Sequence, residues 1–561
     1  MIAGMDIEIL DTTLRDGAQG EGIVFSLRDK LAVTEALDEL GVAWIEAGNP
    51  GSNPKDLEFF RLASSLKLKN AELCAFGSTR KKGVRAQDDV SLRSLLDAAT
   101  RVVVIFGKSW DLHAREVLRV EPEENIAMIA ETVAFCKAEG RAVIYDAEHF
   151  FDGWAADPAY ALATVKAAMD AGADRIVLCD TNGGTFPDAV AAGVRAAQHE
   201  LWGASDNKRQ LAELWGRAED LPQRGGSEGG LVVKRTPLLG IHAHNDSGLA
   251  VANTIIAVQE GCVHAQGTLV GFGERCGNTA LAALLPGLEL KMGLRCLPEG
   301  NLVRISELTR RVAEIANVSI SDDMPYVGAH AFSHKAGMHA DGILKNRRSF
   351  EHIDPRAVGN ERHLLVSEVG GRAAVAERIK KIEPSVTKDH PLAIGLAEKL
   401  KALEAEGWAF EGADASFELW VRRELGRHKN LFRIVAYRVM SEHPTGETLA
   451  CSHAWVKVLV GDQYEIAAAE GDGPVNALDG ALRRALTRFF PDLAKVRLED
   501  YKVRVIDGKE ATAARVRVLI ETTDGQRSWN TVGVSADIID ASRAALVDSI
   551  EYTLIDNIGG A

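Results

Sequence analysis

Short apolar runs recur through the first half of the chain, and each run ends in polar residues or glycine. Near-continuous apolar runs are typical of parallel strands that are covered on both faces. Helical patterns separate most of the runs, so the sequence predicts an α/β protein built on a (β/α)8 TIM barrel. The predicted strands lie in EILDTTL (8–14), AWIEAG (43–48), ELCAFG (72–77), RVVVIFG (101–107), AVIYDAEHF (142–150), RIVLCDTNG (175–183), LLGIHAHND (238–246) and AQGTLVGFGE (265–274).

The first helix of this pattern carries clear signals at both ends. A stripe of leucines with helical spacing begins at Leu27 and ends at Leu40. Ser26 directly before the stripe is a good N-cap residue, and Gly41 directly after it is a good stop. The sequence therefore predicts a helix between Ser26 and Gly41.

Polar side chains concentrate where the predicted strands end. In a (β/α)8 barrel the carboxyl ends of the strands form the face that carries the chemistry. Residues with structural roles alone would be spread over both ends, so this one-sided distribution predicts an active site at that face. The residues concerned are Asp16, Glu46, Asp146, Glu148, Asp180, Thr181, His242, His244 and Glu274.

The predicted secondary-structure pattern changes twice beyond the barrel. We predict a catalytic barrel at 1–297 with a surface insertion at about 203–236, and helical linker subdomains at 298–428 that complete the active site. Residues 429–561 contain two similar blocks, each with three strands and a helix, and the helices begin near Pro474 and Ile538. This duplication predicts an α+β domain of two βββα units for regulation and dimerisation. A purely structural dimer module is the alternative.

Composition and charge narrow the function classes. The chain has 561 residues, too many for one ordinary core, and its 46% hydrophobic content is that of a folded protein. The net charge of −15 argues against a nucleic-acid partner, because such binding relies on neutralising phosphates. No signal peptide or apolar stretch of about 20 residues is found, so we expect a cytoplasmic enzyme without membrane contact. The seven cysteines are scattered and are expected to be reduced thiols.

The strongest chemical signal is a pair of histidines on one predicted strand. His242 and His244 are two residues apart, so both rings project from the same face. With the carboxylate of Asp16 after the first strand, they predict a divalent-metal site rather than a pair of core histidines. Oxygen and nitrogen donors without a thiolate favour Mg²⁺ or Mn²⁺, and Zn²⁺ or Co²⁺ are alternatives. Arg15 next to Asp16 is suited to hold an oxyanion, with a surface ion pair as the alternative.

Two further segments add candidate groups at the same face. Asp146 and Glu148 share one face of the fifth strand, and one of them could act as a general base. The segment Gly271–Asn278 lacks the Lys-Ser/Thr pair of a phosphate loop and the glycine spacing of a dinucleotide fingerprint. We interpret it as a turn after the eighth strand that passes close to a ligand, with Asn278 offering a neutral oxygen to the metal.

Several segments together resemble the family of 2-isopropylmalate, homocitrate and citramalate synthases. They are DTTLRDG (11–17), HAHND (242–246), GFGERCGNTAL (271–281) and AFSHKAGMHADG (331–342). The resemblance covers nearly the whole chain, and the segments at 76–80 and 145–153 are most similar to the bacterial citramalate synthase branch. It implies condensation of acetyl-CoA with a 2-oxo acid, followed by thioester hydrolysis.

The resemblance also implies roles for individual residues. Arg15 would stabilise the enolate and alkoxide oxygens, Glu148 would help to deprotonate the acetyl methyl group, and His339 would come from the helical subdomain, often of the partner subunit. Relatives usually have tyrosine where this chain has Phe350, which puts the role of that hydroxyl in doubt. The implied sets are metal ligands Asp16, His242, His244 and Asn278; catalytic residues Arg15, Glu148 and His339; and substrate-binding residues Arg80, Asp146 and Thr181.

Pyruvate is the expected 2-oxo acid, with citramalate as the product and isoleucine biosynthesis as the route. A homodimer with isoleucine as a feedback effector follows from the same resemblance. The alternatives are a 2-isopropylmalate synthase that uses 2-oxoisovalerate, a carbon–carbon lyase of the same superfamily, and an inactive amino-acid sensor. The long carboxyl-terminal domain argues against the lyase, and the intact metal set argues against the sensor.

Overall fold

The computed structural model describes residues 5–203, 237–334, 337–364, 376, 379–380, 382–387, 389–410, 412–442, 451–506, 514–525 and 527–559. They divide into a first unit, Met1–Phe332 with Ile353–Glu361, and a second unit, Ser333–His352 with Arg362–Ala561. Apart from Gly203, the predicted insertion at about 203–236 lies outside the described residues.

The first unit is built on a closed barrel of eight parallel strands that neighbour one another in chain order. This arrangement confirms the predicted TIM barrel, and each strand lies within or beside one of the apolar runs. The strands are β1 (Glu8–Asp11), β2 (Trp44–Glu46), β3 (Glu72–Ser78), β4 (Val102–Lys108), β5 (Ala142–Glu148), β6 (Arg175–Asp180), β7 (Leu238–Ala243) and β8 (His264–Gly267).

Helices connect the strands and continue beyond the barrel. They are α1 (Leu27–Leu40), α2 (Pro54–Ala63), α3 (Val90–Asp97), α4 (Pro122–Ala138), α5 (Phe150–Ala156), α6 (Pro158–Asp170), α7 (Pro187–Trp202), α8 (Ala250–Gln259), α9 (Leu281–Pro286) and α10 (Ile305–Ile315). Short helical turns lie at Gly17–Gln19, Ala86–Asp88, His113–Leu118, Gly287–Lys291, Asn301–Arg304 and Pro355–Val358.

Helix α1 begins and ends where its caps predict. The Ser26 side chain accepts a hydrogen bond from the Asp29 N–H, and the Asp29 carboxylate accepts one from the Ser26 N–H, which completes a capping box. Gly41 ends the helix with a φ of 96°, a left-handed conformation that favours glycine. A Cβ at this position would lie 2.3 Å from Cδ of Pro298, so packing also excludes a side chain.

Strand β8 is much shorter than the apolar run that predicts it. It ends at Gly267, and Thr268 then forms an isolated bridge with Ala280. Gly271 has a φ of 90°, which an extended strand cannot contain. The chain after Gly267 is therefore a loop, and it is this loop that brings Asn278 back to the carboxyl end of the barrel.

Side chains fill the barrel interior. Leu10, Val104, Ile144 and Val177 belong to one buried apolar cluster inside the strands. At the amino-terminal ends of the strands, Nε and Nη2 of Arg175 each donate a 2.7 Å hydrogen bond to the Glu8 carboxylate. These buried layers leave the carboxyl ends of the strands as the place for chemistry.

The second unit contains the duplicated domain, and its two halves confirm the predicted βββα units. In each half, three antiparallel strands pair in chain order and a helix follows them. The halves are β11 (Arg433–Glu442), β12 (Cys451–Val460), β13 (Gln463–Gly471) and α14 (Pro474–Thr487), then β14 (Arg497–Val505), β15 (Val516–Thr523), β16 (Ser528–Ser535) and α15 (Ile538–Gly559). The helices begin at the two predicted residues.

The rest of the second unit is mainly helical, as predicted, with one short parallel strand pair that the sequence pattern does not indicate. Its elements are β9 (Ser333–His334), α11 (Gly337–Lys345), β10 (His363–Leu364), α12 (Pro391–Ala405) and α13 (Asp414–Glu424). Helical turns lie at Arg347–Ser349 and Pro491–Lys495. Across the described residues, no helix combines the length and apolar character that a bilayer crossing demands.

The two sheets of the duplicated domain differ in what covers their outer faces. In β12, Ala454, Val456 and Val458 are buried in a core that also contains residues of α14. In the second sheet, Val532 and Leu519 pack into the apolar cluster of the linker helices. On the opposite face of β12 from Val456, alternate residues beginning with Cys451 are only partly buried.

Candidate active site at the carboxyl end of the barrel

Three metal-ligating side chains meet at the carboxyl end of the barrel. His242 lies on β7, His244 follows that strand directly, and Asp16 lies in the turn after β1. Oδ2 of Asp16 is 3.6 Å from Nε2 of His242 and 3.9 Å from Nε2 of His244, and the two Nε2 atoms are 3.4 Å apart. All three residues are buried, and they form a group of donors that could hold one metal ion.

Asn278 joins this group through the loop after β8. Its Nδ2 donates to Oδ1 of Asp16 at 2.8 Å and to the carbonyl oxygen of Phe272 at 3.0 Å. Its Oδ1 is buried and has no hydrogen-bond partner among the described residues. A buried orphaned amide oxygen is costly unless something binds it, so this atom fits a fourth ligand. Gly273 makes the approach feasible, since a Cβ there would lie 2.2 Å from Nδ2 of Asn278.

The protonation states of the three ligands suit a cation. Burial lowers the pKa of His242, and burial together with His242 lowers the pKa of His244 to about 4, so both imidazoles are neutral at pH 7. Burial opposes ionisation of Asp16, but Arg15 and the two histidines outweigh it and bring the pKa of Asp16 to about 2. One carboxylate and two neutral imidazoles are the forms that bind a divalent metal.

A buried glutamine fixes the tautomer of His242. Oε1 of Gln266 lies 2.8 Å from Nδ1 of His242, and an amide oxygen can only accept, so Nδ1 carries the proton. Nε2 is then left with its lone pair among the other donors. Nε2 of Gln266 in turn donates to Oδ1 of Asp146 at 3.0 Å. Gln266 thus fixes the orientation of the His242 ring through the nitrogen that would not bind the metal.

Arg15 is held rigidly beside this group. Its Nε donates to Oε2 of Glu46 at 2.5 Å, and its Nη1 donates to Oδ2 of Asp16 at 2.9 Å. Its guanidinium carbon lies 3.8 Å from the centre of the Phe76 ring. Two carboxylates and an aromatic face therefore fix the plane of the guanidinium, which places a permanent positive charge next to the metal ligands.

The two predicted carboxylates of β5 lie in different environments. Asp146 is fully buried, and burial together with the negative charge of Glu46 raises its pKa well above the usual range. Glu148 forms an ion pair with Lys108, and its side chain is 24% exposed. Of the two side chains, only that of Glu148 is partly exposed.

The structure directs two predicted substrate-binding residues to protein partners. The Thr181 hydroxyl accepts a 2.8 Å hydrogen bond from the backbone N–H of His149. The Arg80 guanidinium binds two carboxylates of helix α4, Glu131 at 2.5 Å and Glu124 at 3.0 Å. The Thr181 hydroxyl accepts this hydrogen bond and can still donate its own proton. The Arg80 guanidinium instead directs N–H groups to both carboxylates of α4. Substrate contact stays a prediction for both residues.

His339 lies on α11 in the second unit. Its ring stacks on the ring of Phe350, with centroids 4.2 Å apart and planes inclined by 26°. Phe350 thus has a packing role that needs no hydroxyl. The participation of His339 in catalysis stays a prediction.

Sequence reasoning missed Gln266 and Lys108 and assigned no role to Glu46. Glu46 was recognisable as a polar residue at a strand end. Gln266 had a weaker signal, because it alternates with His264 on β8 and so faces the barrel interior. Lys108 ends β4 beside the end of β5, and only strand pairing shows that it faces Glu148.

Replacing Gln266 with leucine is expected to weaken metal binding by about 10–100-fold, since His242 loses the acceptor that fixes its tautomer. The measurement is the Kd for Mn²⁺ by isothermal titration calorimetry. Gln198→Leu is a matched control, because Gln198 is equally buried but donates to the Glu260 carbonyl oxygen from helix α7. An unchanged Kd in the Gln266 variant would contradict the supporting role.

Comparison with known proteins places this site in a family. Residues 6–205 and 230–312 match the HMGL-like family model, residues 326–407 match the homocitrate synthase post-HMGL domain-like model, and residues 411–554 match the LeuA allosteric (dimerisation) domain. These matches follow one another along nearly the entire chain, in the same order as the barrel, the linker helices and the duplicated domain.

Curated relatives are similar over the full length. The chain is 44% identical to the (R)-citramalate synthase of Geobacter sulfurreducens over 98% of this chain and 97% of that protein. It is 45% identical to the (R)-citramalate synthase of Aquifex aeolicus over 98% of each chain. The 2-isopropylmalate synthase of Methanocaldococcus jannaschii is 28% identical over 98% of this chain. The chain therefore belongs to the (R)-citramalate synthase family.

Proposed function

We propose that the barrel site condenses acetyl-CoA with pyruvate and hydrolyses the resulting thioester to give (R)-citramalate and CoA. The observation that carries the proposal is the group formed by Asp16, His242, His244 and Asn278 next to Arg15. It stands at the carboxyl end of the barrel in a chain that is 43–45% identical to several (R)-citramalate synthases.

Asp16, His242, His244 and Asn278 would hold the divalent metal. When bound, such an ion acts as a Lewis acid that polarises the keto carbonyl of a 2-oxo acid. Two neutral imidazoles, a carboxylate and an amide oxygen suit Mg²⁺ or Mn²⁺ and admit Zn²⁺ or Co²⁺. Gln266 keeps His242 in the binding tautomer throughout.

Arg15 binds the oxyanion that develops during condensation. Of its five N–H groups, one on Nε and one on Nη1 are directed to Glu46 and Asp16, and the others remain available to a substrate oxygen. Because these contacts and the Phe76 ring fix the guanidinium beforehand, little reorganisation is needed when negative charge forms.

Glu148 removes a proton from the methyl group of acetyl-CoA, with His339 as the second candidate for this base. The carboxylate of Glu148 is partly exposed, and the Lys108 ammonium holds it in position. The carbanion equivalent attacks the keto carbon of pyruvate, and the thioester of citramalyl-CoA is then cleaved by water. Hydrolysis of the thioester makes the overall reaction irreversible.

A basic cavity near this base suits the phosphates of acetyl-CoA. It has a volume of about 180 Å³ and lies where β3 and β4 end. Arg80, Lys81, Lys82 and Lys108 line it together with apolar side chains that include Phe106. Glu124 and Glu131 already compensate Arg80, and Glu148 compensates Lys108. Lys81 and Lys82 are therefore the cations of this cavity that would meet an anionic ligand. Arg80, which the sequence predicts to bind substrate, would then act by shaping the wall of this cavity.

The second unit would regulate the enzyme. Its match to an allosteric and dimerisation domain supports a homodimer with an amino-acid effector. Isoleucine is the effector expected for a citramalate producer, since it lies at the end of the route that citramalate supplies.

Release of free CoA from acetyl-CoA across a panel of 2-oxo acids tests the proposed function. With Mn²⁺ present, pyruvate should support rapid release that a chelator abolishes. 2-Oxoisovalerate should support little, although each additional methylene changes discrimination by only about 1–3 kcal/mol. Preference for 2-oxoisovalerate would overturn the assignment of the substrate and leave the metal site standing. No release with any 2-oxo acid would overturn the proposed reaction.

A further inference from the structure

A second group of metal-ligating side chains lies in the duplicated domain. Glu442 ends β11, and Cys451, its direct partner across the strand pair, begins β12. His453 is two residues further along β12, so its side chain projects from the same face as Cys451. One ligand atom from each of the three residues lies within 4.8 Å of the other two. The family matches and the proposed reaction assign no role to this group.

The spacing of the two softer donors already suits one ion. Sγ of Cys451 is 3.4 Å from Nε2 of His453. A tetrahedral zinc with Zn–S of about 2.3 Å and Zn–N of about 2.0–2.1 Å separates sulfur from nitrogen by about 3.6 Å. The observed separation is close to this value, so both atoms can bind the same ion with only a small movement.

The charges around the thiol also favour a cation. Glu470 on β13 is the direct strand partner of His453, which puts a second carboxylate on this face. Within the described part of the chain, no lysine or arginine forms an ion pair with either carboxylate. A divalent ion would compensate both charges and displace the thiol proton to solvent.

We propose that Glu442, Cys451 and His453 bind a Zn²⁺ ion, with Glu470 placed to supply the fourth ligand. A thiolate, an imidazole and carboxylates select a borderline-soft transition metal, unlike the sulfur-free group in the barrel. The ion would fasten the end of β11 to the start of β12. This site is independent of the proposed reaction, because none of its residues belongs to the barrel.

Cobalt substitution of the full-length protein tests this site, since thiolate-to-cobalt charge transfer gives an absorption band in the near ultraviolet. After removal of bound metal with a chelator, we expect Co²⁺ to bind at a second equivalent beyond the barrel site and to produce this band. Cys451→Ser should abolish the band and His453→Ala should weaken it at least tenfold at the same Co²⁺ concentration. CoA release by both variants should remain unchanged.

Two control variants separate this site from the barrel. Cys276 is an exposed thiol two residues before Asn278, so Cys276→Ser checks that the band does not arise at the barrel site and should leave it intact. Asp16→Ala should lose turnover and one equivalent of Co²⁺ but keep the band. Absence of the band in the unmodified protein, its survival in Cys451→Ser, or its loss in Cys276→Ser would overturn the proposal.

Discussion

Replacing Asp16 with asparagine is expected to lower turnover by about three orders of magnitude at limiting metal. Lewis-acid polarisation contributes several kcal/mol to such a reaction, and each 1.36 kcal/mol is a factor of about ten in rate. The variant keeps the size of the side chain but removes the negative charge that Arg15, His242 and His244 surround. The measurements are CoA release as a function of Mn²⁺ concentration and the metal content of the purified protein.

Asp38→Asn is the matched control for this variant. Asp38 is also buried, but it accepts hydrogen bonds from the backbone N–H groups of residues 69–71, which precede β3 at the opposite end of the barrel. It should change stability without changing the dependence on metal. Full turnover of the Asp16 variant at limiting metal would show that this carboxylate does not bind the catalytic ion.

Replacing Arg15 with lysine is expected to lower kcat by about 10²–10³-fold, the loss found when one oxyanion donor is removed. Lysine keeps the charge but cannot donate to Glu46 and Asp16 at once while lying flat on Phe76. Metal content should stay unchanged, because Arg15 is not itself a ligand. The check is kcat and KM for pyruvate at saturating Mn²⁺.

Arg175→Lys provides a control with the same local chemistry. Arg175 is buried, binds the Glu8 carboxylate through two N–H groups and lies 4.3 Å from the Trp44 ring, but at the amino-terminal end of the barrel. It should lower the melting temperature and leave kcat intact. An equal loss of kcat in both variants, or a change in KM alone for Arg15→Lys, would contradict a role in the transition state.

Local signals made much of the fold predictable. Ser26 and Gly41 mark the ends of α1 because capping residues act on their own helix. The starts of α14 at Pro474 and α15 at Ile538 were predictable because each follows the third strand of a repeated block. The barrel was predictable because parallel buried strands need apolar residues on both faces. For the site, the i, i+2 spacing of two histidines on a strand was enough to place both rings on one face, and their Nε2 atoms lie 3.4 Å apart.

Long-range partners were not predictable in the same way. Arg80 pairs with Glu124 and Glu131, which are 44 and 51 residues away, and no local spacing encodes that choice. Gln266 supports His242 only because β7 and β8 are neighbours with a particular register. The early end of β8 depends on left-handed glycines, while the apolar residues that follow it resemble a continuing strand.

Side chains fill the amino-terminal end of the barrel, and this bears on the order in which substrates bind and products leave. Arg175 and Glu8 close the amino-terminal end of the barrel, and the apolar layer lies next to them. Substrates would therefore enter, and products leave, at the carboxyl end. Under the proposed function, the 2-oxo acid would bind at the buried metal ligands, and the phosphates of the bulky CoA ester would lie at the ends of β3 and β4. We therefore expect the 2-oxo acid to bind before acetyl-CoA and free CoA to leave before the dicarboxylate product. A barrel closed at one end thus favours an ordered kinetic mechanism.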